Sequence, residues 1–233
     1  VLTGAFLKVG RIKGVLRPAL APLLPTVQGG KEVLLIDCGA NVDCKPQMLV
    51  QFAYMGSAYM QTVKNIETPR VGLLSNGTED KKGNELTKEA FSLLKNEKTL
   101  NFAGNMEARE IFSGDYDVVV ADGFYGNVAL KSCEGAALMV MKSLKREITS
   151  GFWSKIGALF MKKAFSSLKN KMDYNKRGGA PFIGVEKPVI KAHGSSKAES
   201  ICGAIGQVLE MDEAKLIDRV KDYLARVDNV SEK

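Results

Sequence analysis

Short, uninterrupted apolar runs alternate along this chain with longer segments whose apolar residues recur at helical spacing. A strand covered on both faces of a sheet is apolar throughout, so the runs predict buried strands at 33–37, 70–74, 100–102 and 117–121. The periodic segments predict helices at 1–9, from Pro46 onward, and at 84–95, 106–112 and 127–147. Strict alternation of strands and helices predicts an α/β fold with a doubly wound, mostly parallel sheet.

Polar and glycine-rich residues follow these strands. Asp122-Gly123 leads to Gly126-Asn127, and Asp37 to Asn41 and Ser75-Asn76-Gly77 follow two other strands, with 101–105 as a shorter fourth segment. A single joint of this kind is equally typical of an ordinary strand-to-helix turn. The carboxyl ends of parallel strands meet at one edge of a sheet, so together the four predict one ligand crevice. Glycines there let the backbone approach a ligand, and helix-opening amides attract anions.

The last part of the chain adds one further polar loop. A glycine-rich return at 178–181 precedes a strand predicted at 189–192 and a helix predicted from about Lys197. Between them stands His193-Gly194-Ser195-Ser196, which holds the only histidine. A lone histidine is usually structural, but this position at a strand end also suits a functional one, and the sequence leaves both open.

Composition narrows the class of protein. The chain has 233 residues, 45% of them hydrophobic, and no apolar run as long as a membrane span or a signal peptide. Its four cysteines lack Cys-x-x-Cys spacing, which argues against a zinc site or a disulfide framework and favours a reducing cytoplasm. Cys38 and Cys133 lie near the predicted crevice, where inert apolar thiols are expected. The chain does not open on methionine, and we expect an upstream segment.

A basic, aromatic segment interrupts the α/β pattern at 150–177. Residues 142–177 hold ten Lys or Arg against Glu147 and Asp173, a net charge of +8 in a chain of +7. Apolar residues at helical spacing predict amphipathic helices here, with a membrane-contact face of Phe152, Trp153, Ile156 and Phe160. Such a segment suits an anionic membrane, an acidic protein partner or a solvated cover over the core. Nucleic acid is disfavoured, because no nucleic-acid-binding signature accompanies the charge.

Four motifs together carry a resemblance to a known family. Residues 74–85, 122–127, 177–181 and 191–196 resemble, in order and spacing, the PlsX family of bacterial phosphate acyltransferases of phospholipid synthesis. The resemblance implies that acyl-[acyl carrier protein] and inorganic phosphate give acyl phosphate and free carrier protein, without a cofactor or metal. It also implies a fold like isocitrate or isopropylmalate dehydrogenase, a homodimer, and a cytoplasmic protein that attaches reversibly to membrane.

With this reaction in view, the polar residues receive predicted roles. Phosphate near neutral pH needs positioning and charge screening more than a strong base to attack a thioester. Lys82, Asn127 and His193 are the predicted catalytic residues: a phosphate-holding cation, a donor to the oxyanion, and a group that orients or protonates the leaving thiolate. The predicted substrate and phosphate site comprises Asn76, Asn84, Asp122, Gly123, Gly126 and Lys131, with the amides of 123–127 binding phosphate and Asn84 as an alternative oxyanion donor.

Alternative functions remain open at this point. A phosphotransacetylase-like enzyme acting on short acyl-CoA would share the chemistry, but it would not need the 150–177 segment. A non-enzymatic peripheral membrane scaffold would explain that segment and leave the polar loops unexplained. A dehydrogenase would need a cluster of acidic metal ligands that the sequence lacks. The predicted division is an α/β core at 1–149, an amphipathic insertion at 150–177 and a return to the core with a C-terminal helix at 178–233.

Overall fold

The computed structural model describes residues 2–151, 160, 161, 163 and 178–231, with side chains described as far as Ala225. The helices are α1 (Leu2–Val9), α2 (Pro46–Thr62), α3 (Glu85–Asn96), α4 (Gly123–Ile148), α5 (Ala198–Glu213) and α6 (Leu216–Ser231). The strands are β1 (Ala19–Leu20), β2 (Leu23–Pro25), β3 (Glu32–Ile36), β4 (Arg70–Ser75), β5 (Asn101–Glu107), β6 (Val118–Val120), β7 (Ala180–Ile183) and β8 (Ile190–Lys191).

The main sheet has the strand order β2-β3-β6-β4-β5. β3, β6, β4 and β5 run parallel, and β2 pairs with β3 in the antiparallel direction at one edge. The prediction of a mixed α/β fold with a mostly parallel sheet is therefore confirmed. Because these four strands are parallel, their carboxyl ends lie along one edge of the sheet, and the candidate site is found there.

Both faces of this sheet are covered, which explains its continuous apolar runs. Leu34 and Ile36 of β3 face a large core that includes residues of α2, α3 and α6. Val33 and Leu35 face the opposite side, where they pack with residues such as Val119 and Met106, and α4 contributes partly buried residues there. Successive side chains of a strand point to opposite faces, so a doubly covered strand must be apolar at every position.

Helix α2 is the central helix of the larger core. It begins at Pro46, as predicted, since proline at the first helical position loses no intrahelical hydrogen bond. Gly56 marks its closest approach to the sheet, because a Cβ there would lie 2.5 Å from a methyl carbon of Val118. On its other side α2 contacts α6, where the Arg219 guanidinium and the Tyr223 hydroxyl both donate to Oε1 of Gln61.

A second, smaller sheet has the order β1-β7-β8, with both pairings antiparallel. It joins residues near position 20 to residues beyond position 180, so it ties the two ends of the described chain together. The last strand belongs to this sheet and comprises Ile190–Lys191 only, shorter than the predicted 189–192. The His193 loop therefore follows a strand of the second sheet and does not continue the row of loops at the main sheet's edge.

Three element predictions are wrong in detail. Helix α4 begins at Gly123 and not near 127, because Asp122 caps it there. The segment 101–105 is part of a strand that continues to Glu107, and only a short 3-10 helix, Ala108–Glu110, stands where a helix at 106–112 was expected. Asn105 is buried within that strand instead of lying in a polar loop.

The predicted membrane-contact residues Phe152, Trp153 and Ile156 lie outside the described residues. Phe160 is described, and its side chain is exposed. Within residues 2–151, 160, 161, 163 and 178–231, every helix is too short or too polar to cross a bilayer.

Candidate active site

The first turn of α4 lies at the carboxyl end of β6 and is fixed by Asp122. The Asp122 side chain is buried, and its Oδ1 accepts a hydrogen bond of 2.8 Å from the backbone amide of Tyr125. Such an N-cap contributes about 0.5–2 kcal/mol to helix stability. Burial raises the pKa of Asp122, the amides of Tyr125 and Phe124 lower it, and the carboxylate of Asp43 raises it further.

The amides at this turn are already bonded within the protein. The Gly123 amide donates to the carbonyl oxygen of Asn41 at 2.7 Å, and the Gly126 amide donates to that of Asp122 at 2.9 Å. With Tyr125 bonded to the cap, these three amides have internal acceptors, and a phosphate would have to replace those hydrogen bonds to be held by them. Asp122 is an equally poor phosphate ligand, because its carboxylate would repel the anion. Gly123 and Gly126 serve close packing in this structure, and their role as phosphate contacts stays a prediction.

The loop 37–41 after β3 is the partner that these glycines approach. A Cβ at Gly126 would lie 1.9 Å from the carbonyl oxygen of Asp37, and a Cβ at Gly123 would lie 2.5 Å from that of Asn41. Gly39 has a φ of +104°, which favours glycine, and a Cβ there would lie 3.6 Å from the side chain of Asn127. The loop thus sets where α4 starts, and so where exposed Asn127 is presented.

Asp37 organises this loop, a role that the sequence analysis did not identify. Its carboxylate is fully buried and accepts hydrogen bonds from the amides of Leu20, Ala40 and Asn41 and from Nδ2 of Asn41, at 2.7–3.2 Å. Burial raises its pKa, against the lowering effect of these bonds. The available signal was an aspartate directly after a buried strand, followed by glycine and asparagine. Its bond to Leu20 also links the two sheets.

The loop 76–84 after β4 folds back on itself. Oδ1 of Asn76 accepts from the amide of Gly83 at 2.8 Å, and Oδ1 of Asn84 accepts from the amide of Thr87 at 2.9 Å as the N-cap of α3. The stem of Lys82 crosses Gly77, since a Cβ at Gly77 would lie 2.7 Å from Cγ of Lys82. Both asparagines use Oδ1 internally, so Nδ2 is the atom that each could offer to an anionic substrate.

The two predicted phosphate-binding lysines differ in their surroundings. Nζ of Lys131 lies 2.8 Å from the carboxylate of Glu134, one turn along α4. Lys82 is exposed and forms no ion pair with any residue in the described part of the chain. An ammonium without a protein carboxylate keeps more of its attraction for phosphate, so Lys82 is the stronger candidate.

His193 is exposed in its loop. Its Nδ1 lies 2.7 Å from Oγ of Ser195, and the amide of Ser195 donates to the same nitrogen at 3.2 Å. These contacts orient the ring through Nδ1, so Nε2 is the nitrogen that could contact a substrate. The structure does not bring His193 into contact with Lys82, Asn84 or Asn127.

The cysteines near the site are poorly suited to act as nucleophiles. Burial, and next the carboxylate of Asp37, raise the pKa of the Cys38 thiol well above its usual range. Burial likewise raises the pKa of Cys133, and it raises that of Cys44 to about 12. A thiol with a raised pKa carries little thiolate near neutral pH. No group of three or more His, Cys, Asp or Glu side chains that could hold a metal ion occurs within the described residues.

A cavity of about 420 Å³ opens beside these loops. It lies between the loop 42–44, Leu86 at the start of α3, and Phe124 and Tyr125 at the start of α4. Asp122 lines this cavity, and Leu86 stands two residues after the N-cap Asn84, so residues that follow β3, β4 and β6 meet here. That the polar loops form one ligand site stays a prediction.

The sequence is similar to those of curated phosphate acyltransferases from several bacteria. A phosphate acyltransferase from Clostridium perfringens is 49% identical over 225 residues, covering 97% of this chain and 66% of the relative. A phosphate acyltransferase from Listeria innocua is 50% identical with the same coverage. The chain thus spans just under two thirds of the length of these curated relatives.

A solved structure shares the fold at low identity. A phosphotransacetylase from Streptococcus pyogenes superposes with a TM-score of 0.53 at 16% identity, over 94% of this chain and 58% of that one. At this identity the likeness concerns the fold alone. The sequence model of the family described as "Fatty acid synthesis protein" matches residues 1–219. The predicted family is confirmed, and the chain belongs to the fatty acid synthesis protein family, whose members include relatives named phosphate acyltransferase.

Proposed function

We propose that the protein is a phosphate acyltransferase that converts acyl-[acyl carrier protein] and inorganic phosphate to acyl phosphate and free carrier protein, for phospholipid synthesis. The observation that carries the proposal is the 49–50% identity to relatives of that name over 97% of the chain. The predicted polar loops all lie within the matched residues 1–219.

The reaction forms one bond and breaks one. A phosphate oxygen attacks the thioester carbonyl carbon, the carbonyl oxygen becomes an oxyanion, and the C–S bond breaks as the thiolate leaves and takes up a proton. Lys82 holds the phosphate, with Nδ2 of Asn76 and the ammonium of Lys131 as further contacts. Asn127, or alternatively Asn84, donates to the oxyanion, and losing such a donor typically lowers the rate on the order of 100-fold.

His193 is proposed to orient or protonate the leaving thiolate. The contact between its Nδ1 and Ser195 supports a fixed ring with Nε2 available. This role requires the substrate to extend from the α4 start toward the second sheet. A smaller rate loss is expected for His193→Ala than for Lys82→Ala, because phosphate supplies its own nucleophile. A pH–rate profile that keeps its shape in His193→Ala would remove the histidine from the mechanism.

The partners beyond phosphate are also proposals. Residues 142–177 carry the chain's excess positive charge, which suits the acidic carrier protein and an anionic membrane surface. Exposed Phe160 supports a membrane-contact face together with Phe152, Trp153 and Ile156. We further propose a cytoplasmic homodimer, the isocitrate or isopropylmalate dehydrogenase-like arrangement, and the division into 1–149, 150–177 and 178–233.

Membrane attachment is tested by flotation with liposomes. Burying one large apolar side chain contributes about 1.5–3 kcal/mol, so several with basic neighbours are needed for reversible binding. Wild-type protein is expected to float with anionic liposomes. The double variant Trp153→Glu with Phe160→Glu is expected to stay folded and to remain in the bottom fraction of the gradient. A folded double variant that still floats would place the attachment elsewhere in the chain.

The proposed activity is tested on the full-length protein with acyl-carrier protein, with and without phosphate, by following free thiol. Phosphate-dependent release is expected, and acetyl-CoA should be a much poorer substrate. Rapid release from acetyl-CoA with none from the carrier protein would favour the phosphotransacetylase-like alternative. Release of thiol at the same rate with and without phosphate would overturn both the proposed function and this alternative.

A further inference from the structure

Asn105 is a buried polar residue of β5 that the proposed chemistry does not use. Its side chain is 3% exposed, and its Nδ2 lies 2.9 Å from the carbonyl oxygen of Glu79, in the loop 76–84. A carbonyl oxygen can only accept a hydrogen bond, so the atom that faces it must be the NH₂ group of the amide. The other amide atom, Oδ1, is buried and has no hydrogen-bond partner within the described residues. Burying an amide costs free energy unless it is hydrogen-bonded, so an asparagine kept here for one bond points to a role for that bond.

A β-bulge in β5 turns Asn105 toward this loop. The pairing of β5 with β4 shifts register by one residue at Ala103, and the next residue, Gly104, has a φ of +99°. In a regular strand Phe102 and Met106 would share a face, because they are four residues apart. Here Phe102 packs against the larger core and Met106 lies in the smaller one, so the bulge reverses the alternation. Asn105 consequently lies on the face that α3 and the loop before it cover, and bulges next to active sites commonly re-aim a side chain in this way.

The Glu79 carbonyl is also the acceptor that closes the turn leading to Lys82. The backbone amide of Lys82 donates to it at 3.0 Å, which is the hydrogen bond of a four-residue turn. Asn105 therefore holds the first residue of this turn on β5, and Lys82 is its last residue. The stem of Lys82 crosses Gly77, so the position of its ammonium depends on where the turn is held.

The other side-chain contacts of this loop are weaker anchors. The bond from the Gly83 amide to Asn76 lies within the loop and does not join it to the sheet. The ion pair between Asp80 and Lys95 joins the loop to α3, but the two side chains are 60% and 62% exposed, and exposed pairs contribute little. Among the described side chains, Asn105 is therefore the buried anchor that ties this turn to the main sheet.

We propose that Asn105 is a positioning residue that holds Lys82 in place for phosphate through the Glu79 carbonyl. The inference rests on the proposed function, in which Lys82 holds the attacking phosphate. Lysine has a flexible four-carbon stem, so its ammonium occupies a defined position only when the backbone beneath it is fixed. Loosening the turn spreads the ammonium over more positions and weakens phosphate binding, while the oxyanion donor Asn127 on α4 stays in place.

The test measures KM for phosphate in the full-length enzyme, with acyl-carrier protein as the thioester. Asn105→Leu removes the NH₂ donor at nearly constant size, and it is expected to raise KM for phosphate about fivefold, as for the loss of one hydrogen bond. The turnover at saturating phosphate and KM for the carrier protein should change less than about twofold. The matched control is Asn101→Leu, at an exposed amide that donates to the Thr68 carbonyl at 3.2 Å. Asn101 lies about 13 Å away along the same strand, and its variant should keep the wild-type constants.

A double-mutant cycle with Lys82→Ala separates positioning from a general effect on stability. In the Lys82→Ala background, Asn105→Leu should lower the remaining kcat/KM for phosphate by less than about twofold, because the group that it positions is gone. An equal loss in both backgrounds would overturn the proposal, as would an unchanged KM for phosphate in Asn105→Leu alone or an equal rise in KM for the carrier protein. If Asn105→Leu fails to fold, Asn105→Ala adds no bulk, is expected to show the same pattern and is judged by the same criteria.

The proposed function can fail separately. If the wild-type enzyme releases thiol from no thioester, the proposed function is refuted, and calorimetric binding of inorganic phosphate then decides the role of Asn105. Binding weakened about fivefold by Asn105→Leu in the wild-type background, and not weakened further by it in the Lys82→Ala background, would support the assignment. Unchanged or absent binding would overturn it. If the enzyme is active and Lys82→Ala keeps the wild-type KM for phosphate, the positioning role is refuted while the phosphorolysis stands.

Discussion

Gly126→Ala tests whether close packing of α4 on the loop 37–41 builds the site. The added Cβ would lie 1.9 Å from the carbonyl oxygen of Asp37, far inside van der Waals contact. Relief requires the start of α4 to move away, which strains packing at a cost of about 1–3 kcal/mol. Losing the bond from the Gly123 amide to Asn41 costs about 1–3 kcal/mol more, and the higher helix propensity of alanine returns about 1 kcal/mol.

The expected net loss is about 3 kcal/mol in the free energy of unfolding, measured by urea denaturation of the full-length protein. The same helix supplies the control: Gly135 is exposed with nothing within 4 Å of an added Cβ. Gly135→Ala should therefore stabilise the protein by about 0.5–1 kcal/mol. Wild-type stability in Gly126→Ala, or an equal loss in Gly135→Ala, would refute the packing argument.

Three further predictions concern single side chains. Asp37→Asn should lower the free energy of unfolding by about 1–3 kcal/mol in urea denaturation, because one buried backbone amide would then face the NH₂ group of the new asparagine. The control Asp115→Asn, at an exposed position, should change that free energy by less than about 0.5 kcal/mol. Lys82→Ala should lose most phosphorolysis at subsaturating phosphate while staying folded, and Lys81→Ala, its exposed neighbour, should lose far less; equal losses would show only a general charge effect. Alkylation of Cys44, followed by mass spectrometry, should keep accelerating up to pH 10, because burial raises the thiol pKa to about 12; a plateau below pH 9 would contradict this.

The four parallel strands of the main sheet were predictable because their signal is local, whereas the antiparallel edge strand β2 was not predicted. Val118–Val120 and Leu34 to Ile36 are apolar at every position, and only strands covered on both faces need that pattern. The second sheet was not predictable in the same way. Of its strands only β8 was predicted from the local sequence. β1 and β7 have two and four residues and pair across more than 160 positions of the sequence, so no local pattern marks them.

The loops around the candidate site were predictable from the sequence, but the contacts within them were not. Gly123 and Gly126 suggest a flexible, anion-binding turn when only the local sequence is considered. The contacts that explain them come from the carbonyls of Asp37 and Asn41, more than 80 residues earlier in the chain. Asp37 itself gave only a weak signal, because one of its donors, the amide of Leu20, belongs to the second sheet and the others lie in the loop that follows β3. The residue types of Lys82 and Asn127 already suggested phosphate and oxyanion contacts, and those roles remain predictions.

The central claim is that a phosphate oxygen attacks the thioester carbonyl. The most direct measurement supplies phosphate labelled with ¹⁸O at every oxygen, together with acyl-carrier protein and the full-length enzyme, and weighs the acyl product by mass spectrometry. The account predicts acyl phosphate that retains every labelled oxygen, formed in step with free carrier-protein thiol. Unlabelled free fatty acid as the first product, with phosphate left unchanged, would show hydrolysis by water and contradict the account.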